Sequence, residues 1–156
     1  MNAMQKSSAV FQDGVNDFAP SEQKISSRPI SGARVRVAQP RSQWVSELTE
    51  RFEDLLKLPP GWDGYAGRPV TFNCALFAAN LIERLFVGGV PAPQLVPGGD
   101  GTLQIEWHRN QYDVEIDVLG PFDVLAVRRN IRTGQVEELE LQMDFSPLSE
   151  WIAALK

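Results

Sequence analysis

The chain has 156 residues, of which 43% are hydrophobic, and its 15 basic and 20 acidic residues give a net charge of −5. This length supports one hydrophobic core and, with a long tail, leaves little for a second. The chain contains no run of about 18 apolar residues and no charged-then-apolar leader, and its one cysteine excludes an intramolecular disulfide. We therefore expect a cytoplasmic protein that makes no membrane contact.

The charge is distributed unevenly along the chain. Residues 23 to 41 carry five basic residues and no acid, a net charge of +5, whereas residues 42 to 156 carry nine basic and seventeen acidic residues, a net charge of −8. A duplex-binding surface needs clustered Lys and Arg side chains against the phosphates. We therefore expect contact with nucleic acid only if the N-terminal tail makes it.

Residues 1 to 41 are predicted to be a disordered, locally basic tail. They are rich in Ser, Gln, Pro and Gly, and their apolar residues follow no sustained helical or strand period. Within the tail, Arg34 and Arg36 alternate with Val35 and Val37. This short piece is either a solvated linker or a segment that adds to a partner as an edge strand.

Residues 42 to 156 are predicted to form a single α+β domain with three amphipathic helices. The helices begin at Ser42, Thr71 and Ser146, residue types that accept hydrogen bonds from the first free amides of a helix. Pro59-Pro60 ends the first helix and Gly88-Gly89 ends the second.

A four-stranded antiparallel meander is predicted between residues 102 and 143, because three turn signals separate alternating apolar runs. Turns at Asn110-Gln111, Gly120-Pro121 and Arg132-Thr133-Gly134 would place Ile105 opposite Ile116, Ile116 opposite Leu125, and Leu125 opposite Leu141. Because Pro121 fits a two-residue turn poorly, a longer loop there is the alternative, and it would shift the second register by two residues. Leu95 and Val96 add a short fifth strand. The predicted fold is a two-layer α+β domain in which two N-terminal helices and one short C-terminal helix cover one face of a four- to five-stranded sheet.

These registers leave the other face of the sheet open and rich in carboxylates. Glu106 falls directly across from Glu115, a like-charge pair that destabilises the sheet unless solvent, a cation or a basic partner relieves it. Arg128 is predicted to be shared by Asp113 and Glu138. The predicted open face comprises Gln104, Glu106, His108, Asp113, Glu115, Asp117, Val124, Ala126, Arg128, Glu138, Glu140 and Gln142.

Two interpretations of this face stay open: the solvated side of an antiparallel sheet, which is normally polar, or a functional acidic surface. Under the second, we expect a non-enzymatic factor that binds a protein with a basic surface, as an inhibitor, an antitoxin-like factor or an adaptor does. The predicted binding residues are Glu106, His108, Asp113, Glu115, Asp117, Glu138 and Glu140.

An alternative hypothesis is a metal-dependent hydrolase or nuclease that uses Glu106, His108, Asp113 and Glu115. Against it, the chain has a single histidine, no lysine near these carboxylates, and no serine or cysteine in a nucleophile elbow. The sequence therefore predicts no catalytic residue, no metal ligand and no cofactor. Nucleic-acid contact through the basic tail is the third hypothesis.

A connector between the first two helices, residues 58 to 69, is dense in turn residues and contains two large aromatic side chains. One interpretation is architectural: Trp62 closes the core and Asp63 accepts hydrogen bonds from amides of the turn. The other is a loop that contacts a ligand or a protein through Trp62, Asp63, Tyr65 and Arg68. Homodimerisation is predicted to use either this loop or an edge of the sheet.

Two segments resemble a family of small bacterial proteins for which no activity is established. The first is residues 58 to 69, which read Leu-Pro-x-Gly-Trp-Asp-Gly-Tyr followed by small residues and Pro. The second is residues 100 to 108, Asp-Gly-Thr-Leu-Gln-Ile-Glu-Trp-His. The resemblance covers about residues 45 to 142 and implies a bacterial origin and a joint role for the two motifs. Where the family usually has Gly-Ala after the tyrosine, this chain has Ala66-Gly67.

Overall fold

The computed structural model describes residues 43 to 156, so the predicted tail at residues 1 to 41 and the predicted cap at Ser42 lie outside the described residues. The described part is an α+β fold with one open antiparallel sheet of five strands and three helices. None of these three helices has the length and apolar character needed to cross a membrane.

The strands follow one another in the sheet in chain order, as in a meander. Because each strand pairs with its neighbour in the chain, the sheet needs only short connections. In chain order the elements are α1 Gln43–Leu56, α2 Phe72–Leu85, β1 Gln94–Pro97, β2 Leu103–Arg109, β3 Tyr112–Gly120, β4 Asp123–Asn130, β5 Val136–Leu141 and α3 Ser146–Ala153.

The helix starts agree with the sequence at α2 and differ slightly at α3. Thr71 caps α2, since its Oγ1 accepts a hydrogen bond from the Cys74 amide at 3.3 Å. At α3 the N-cap residue is Phe145, which makes no side-chain capping hydrogen bond, and Ser146 is the first helical residue, so the predicted cap at Ser146 is wrong by one residue. The Ser146 amide donates to Oδ1 of Asp144 at 2.9 Å. The helix α2 ends at Leu85, before the predicted stop at Gly88.

One hydrophobic core joins the buried stripes of the three helices to one face of the sheet. Trp44 of α1 lies at one end of this core. The centroid of its ring is 5.6 Å from that of Trp107 on β2 and 5.1 Å from that of Phe86. Its indole N–H donates to the Val90 carbonyl at 2.8 Å, so this buried polar atom is satisfied. Residues of β2 and β3 complete the core: Leu103, Ile105, Trp107, Val114, Ile116 and Val118.

The register between β2 and β3 is the predicted one. Ile105 pairs with Ile116, and Trp107 pairs with Val114. The two-residue turn uses Asn110 at φ 50° and Gln111 at φ 68°, the left-handed conformations that a type I′ hairpin turn requires. A tight turn of this type leaves one register available, and here the apolar pattern selects the same one.

The predicted register between β3 and β4 is wrong by one residue. Ile116 lies opposite Ala126 instead of Leu125. The turn is centred on Pro121 and Phe122, with Phe122 at φ 61°, and the pairing shifts between Val118 and Gly120 at an irregularity of the bulge type. A bulge adds one residue to one strand, so every side chain of β4 changes face.

Two consequences follow for β4. Val124 and Ala126, predicted on the open face, are each about 1% exposed and belong to the core, while Leu125 and Val127 lie on the open face. The pairing with β5 changes to match, since Leu139 lies opposite Ala126. The prediction that Leu125 pairs with Leu141 is therefore wrong.

The predicted role of Arg128 is also wrong. Arg128 lies on the helical side of the sheet and forms an ion pair with Glu137, which is directly opposite on β5. Its guanidinium lies over two aromatic rings, 5.3 Å from the Tyr112 centroid and 5.0 Å from the Trp151 centroid. Arg128 therefore makes cation–π contacts with Trp151 of α3 and Tyr112 of β3. It is not shared by carboxylates of the open face.

Candidate functional site

The seven predicted binding residues of the sheet share one face, which we call the acidic face. Cross-strand pairing brings β2 and β3 side chains together, and the parity of β5 places its two glutamates on the same side. Between these groups runs β4, which contributes Leu125, Val127 and, opposite Asp113, the exposed Arg129. The acidic face comprises Glu106, His108, Asp113, Glu115, Asp117, Glu138 and Glu140.

Glu106 and Glu115 lie directly opposite each other on β2 and β3, as predicted. Glu106 has a partner in His108, at 3.4 Å between Oε2 and Nε2. Within the described residues, Glu115 forms no ion pair. Two facing carboxylates of which one lacks a cation destabilise the sheet, and a cationic group arriving from outside would remove this cost.

Asp117 continues the line of carboxylates along β3. Its pKa is raised, first by its partial burial and then by the charges of Glu115, Glu106 and Asp100. Gln104, directly opposite on β2, donates a hydrogen bond that acts against the shift. The ionised form of Asp117 is therefore held in an environment that disfavours it.

His108 is held between two carboxylates at the end of β2. Its Nδ1 lies 2.8 Å from Oδ1 of Asp113, directly across the strands, which confirms the predicted cross-strand pair. The hydrogen bond with Asp113 is the main cause of the raised pKa of His108, and the contact with Glu106 adds to it. His108 thus supplies the acidic face with a positive charge that depends on pH.

Sequence reasoning missed the apolar part of this surface. Leu125 and Val127 line a groove of about 460 Å³ together with Asp117, Glu138 and Glu140. Leu125 is 37% exposed, and Val136 at the start of β5 is 46% exposed. The groove combines carboxylates with aliphatic side chains, which is a composition suited to protein contact.

The connector between α1 and α2 is braced from within. Oδ1 of Asp63 accepts from the amides of Tyr65 and Gly67, both at 2.9 Å, which confirms the predicted turn role of Asp63. These hydrogen bonds lower the pKa of Asp63. A Cβ at Gly67 would lie 2.6 Å from the Asp63 carboxyl carbon, so a larger residue here would have to displace the Asp63 side chain from these hydrogen bonds.

The other predicted residues of the connector are arranged differently from the architectural interpretation. Trp62 is half-buried and lies outside the core, and its indole N–H donates to the Arg68 carbonyl at 3.0 Å. Tyr65 is 89% exposed. The tryptophan therefore stabilises the loop, and the loop presents the tyrosine to solvent.

The two motifs that carry the family resemblance meet in space. The Arg68 amide donates to the Gly99 carbonyl at 2.9 Å, and the Thr71 amide donates to the Gly101 carbonyl at 3.0 Å. Arg68 and Asp100 also form an isolated β-bridge. The connector and the β1–β2 turn thus form one corner of the molecule, beside the acidic face.

Within residues 43 to 156, no group of three or more His, Cys, Asp or Glu side chains has an arrangement that could hold a metal ion. The described geometry therefore gives the metal-dependent hypothesis no support.

Comparison of the chain with protein-family models, with curated proteins and with solved structures gave no match. The resemblance carried by the two motifs, and the bacterial origin that it implies, therefore stay predictions.

Proposed function

We propose that this protein is a non-enzymatic cytoplasmic binding factor, such as an inhibitor, an antitoxin-like factor or an adaptor, whose acidic face binds a basic protein surface. The observation that carries the proposal is the pair Glu106 and Glu115, placed directly opposite each other on an open sheet face. Like charges in this position cost stability, and a partner's Lys or Arg side chains would convert the cost into binding energy.

The environment of Asp117 supports the same proposal. Its raised pKa reflects partial burial and the negative charges of Glu115, Glu106 and Asp100. A cationic side chain placed beside these groups would favour their ionised forms. Binding would then be linked to pH and would strengthen as Asp117 loses its proton.

The groove on β4 gives the surface a second component. The aliphatic parts of Lys and Arg side chains pack on apolar surface while their charged heads reach carboxylates. Leu125 and Val127 offer such a surface between Asp117 on one side and Glu140 on the other. The Lys or Arg side chains of a partner could therefore pack their aliphatic parts on Leu125 and Val127 and pair their charged groups with the carboxylates.

Charge reversal at the facing pair tests the proposal. The tagged full-length protein should capture a basic partner from host extract, and E106K/E115K should lose it, because the reversed charges repel the partner's cations. Capture should also weaken as salt is raised across about 0.1 to 0.5 M, where screening becomes strong. Mass spectrometry of the eluates identifies the partner.

The matched control is E50K/E150K, which makes the same change in net charge at exposed positions on α1 and α3. This variant should retain capture. Equal capture by the wild type and E106K/E115K would refute a role for the acidic face, provided that both proteins show the same thermal unfolding.

A further inference from the structure

The five-stranded sheet has two edges, formed by β1 and β5, and residues of the described part of the chain block the β1 edge. At the β1 edge, the outward carbonyl of Leu95 accepts hydrogen bonds from Arg51, at 3.0 Å from Nη2 and 3.3 Å from Nε. Pro93 and Pro97 flank Leu95 and have no N–H to offer. A further strand could not form a regular ladder there.

The β5 edge is open, because no element between residues 43 and 156 pairs with its outer side. The Asn130 amide donates to the Gln135 carbonyl. Hydrogen-bonded and outward-pointing residues alternate in an antiparallel ladder, so the backbone groups of Glu138 and Glu140 point away from β4. Unpaired strand edges of this kind are sites of strand addition.

The side chains of β5 determine which strand fits. Glu138 and Glu140 lie on the acidic face, whereas Leu139 and Leu141 face the helices, with Leu139 only partly buried. A second copy of β5 would set glutamates against glutamates, which is unfavourable. A complementary strand carries basic residues at alternate positions on one face and apolar residues on the other.

This chain contains one such segment. Residues 34 to 37 read Arg-Val-Arg-Val, inside a stretch from 23 to 41 with five basic residues and no acid. Antiparallel pairing that sets Arg36 against Glu138 also sets Arg34 against Glu140 and Val35 against Leu139. Among antiparallel pairings, the two arginines meet the two glutamates and the central valine meets the leucine in a single register.

The reach of the chain favours a segment from another molecule. Trp44 packs against Trp107 on β2, while a position outside β5 lies four strands away, or about 19 Å at the usual strand spacing. The chain from residue 38 to residue 43 spans at most about 17 Å, and it would also have to cross from the helical layer. We propose that residues 33 to 38 of a second copy add to the β5 edge, and that two copies exchange these segments reciprocally.

Complementary charge variants test this exchange in the full-length protein. R34E/R36E makes the segment acidic, and E138R/E140R makes the edge basic. Each variant alone should be monomeric by light scattering, because its segment and its edge carry the same charge. An equimolar mixture should regain the dimer mass of the wild type, since each segment then meets an edge of opposite charge.

The control R28E/R41E reverses two arginines of the same basic stretch outside residues 33 to 38 and should dimerise as the wild type does. A monomeric wild type at all concentrations, or a mixture that stays monomeric, would overturn the proposal. If residues 33 to 38 docked on the β5 edge of their own molecule, the wild type would be monomeric and the mixture of variants would form no dimer. R34E/R36E keeps the acidic face intact, so its capture of a basic partner tests the proposed function separately.

Discussion

At the scale of single residues, three carboxylates on alternate positions of β3 have different surroundings. Asp113 forms a hydrogen bond with His108, whereas Glu115 faces Glu106, and Asp117 is the one whose pKa is raised by partial burial. These differences arise because each strand position meets a different cross-strand partner. A line of similar acids thus contains one satisfied member and two that are placed unfavourably.

The titration of His108 is the direct test of this description. We predict that the pKa of His108 lies above its ordinary value in the wild type and falls in D113N, because the hydrogen bond to the Asp113 carboxylate is the main cause of the shift. His108 is the single histidine of the chain, so its NMR signals need no assignment by mutagenesis. E106Q should produce a smaller fall, and an unchanged pKa in D113N would contradict the assignment.

At the scale of elements, β4 is the strand whose placement matters most for the surface. The bulge between Val118 and Gly120 buries Val124 and exposes Leu125. The sequence offered a partial signal, since Pro121 favours the first central position of a turn and so points to a turn centred on Pro121 and Phe122. That turn without the bulge would still bury Leu125, so the signal alone does not yield the observed face.

Matched substitutions on β4 distinguish the two registers. V124N should destabilise the protein by about 3 kcal/mol or more, because it removes a buried apolar side chain and places an amide in the core. L125N should cost about 1 kcal/mol or less, since Leu125 is 37% exposed. Urea unfolding measures both values. Equal costs, or a larger cost at Leu125, would support the register predicted from the sequence alone.

At the scale of the whole molecule, the pKa shifts predict how stability depends on pH. The pKa values of Asp117 and His108 are raised, so their contributions favour folding at low pH and are lost as pH rises through the folded-state values. The pKa values of Asp63, Asp100 and Asp144 are lowered, so their contributions are present above about pH 4 and are lost as pH falls.

Together these opposite signs place the maximum of stability on the weakly acidic side, at about pH 5. Thermal unfolding followed by circular dichroism should show a midpoint that falls from about pH 5 to pH 8, and D117N should reduce this fall. A midpoint that rises steadily up to pH 8 would contradict the raised pKa values assigned to Asp117 and His108.

The sequence by itself determined the α+β class, the helix start at Thr71 and the register of β2 against β3. These features depend on local patterns: apolar periodicity, a capping side chain, and a two-residue turn that leaves one register open. The placement of Glu106 opposite Glu115 follows from that register, so this part of the candidate site was predictable.

The tertiary structure alone decided which side of β4 is buried. Depending on the register, either Val124 and Ala126 or Leu125 and Val127 face the core. Both pairs are apolar, so hydrophobicity alone does not determine which pair is buried. A bulge in β3 resolves the competition, and it places Arg128 over Trp151 and Tyr112, contacts that exist only once α3 has packed on the sheet. Leu125 and Val127 lie on the acidic face because packing buries Val124 and Ala126 instead.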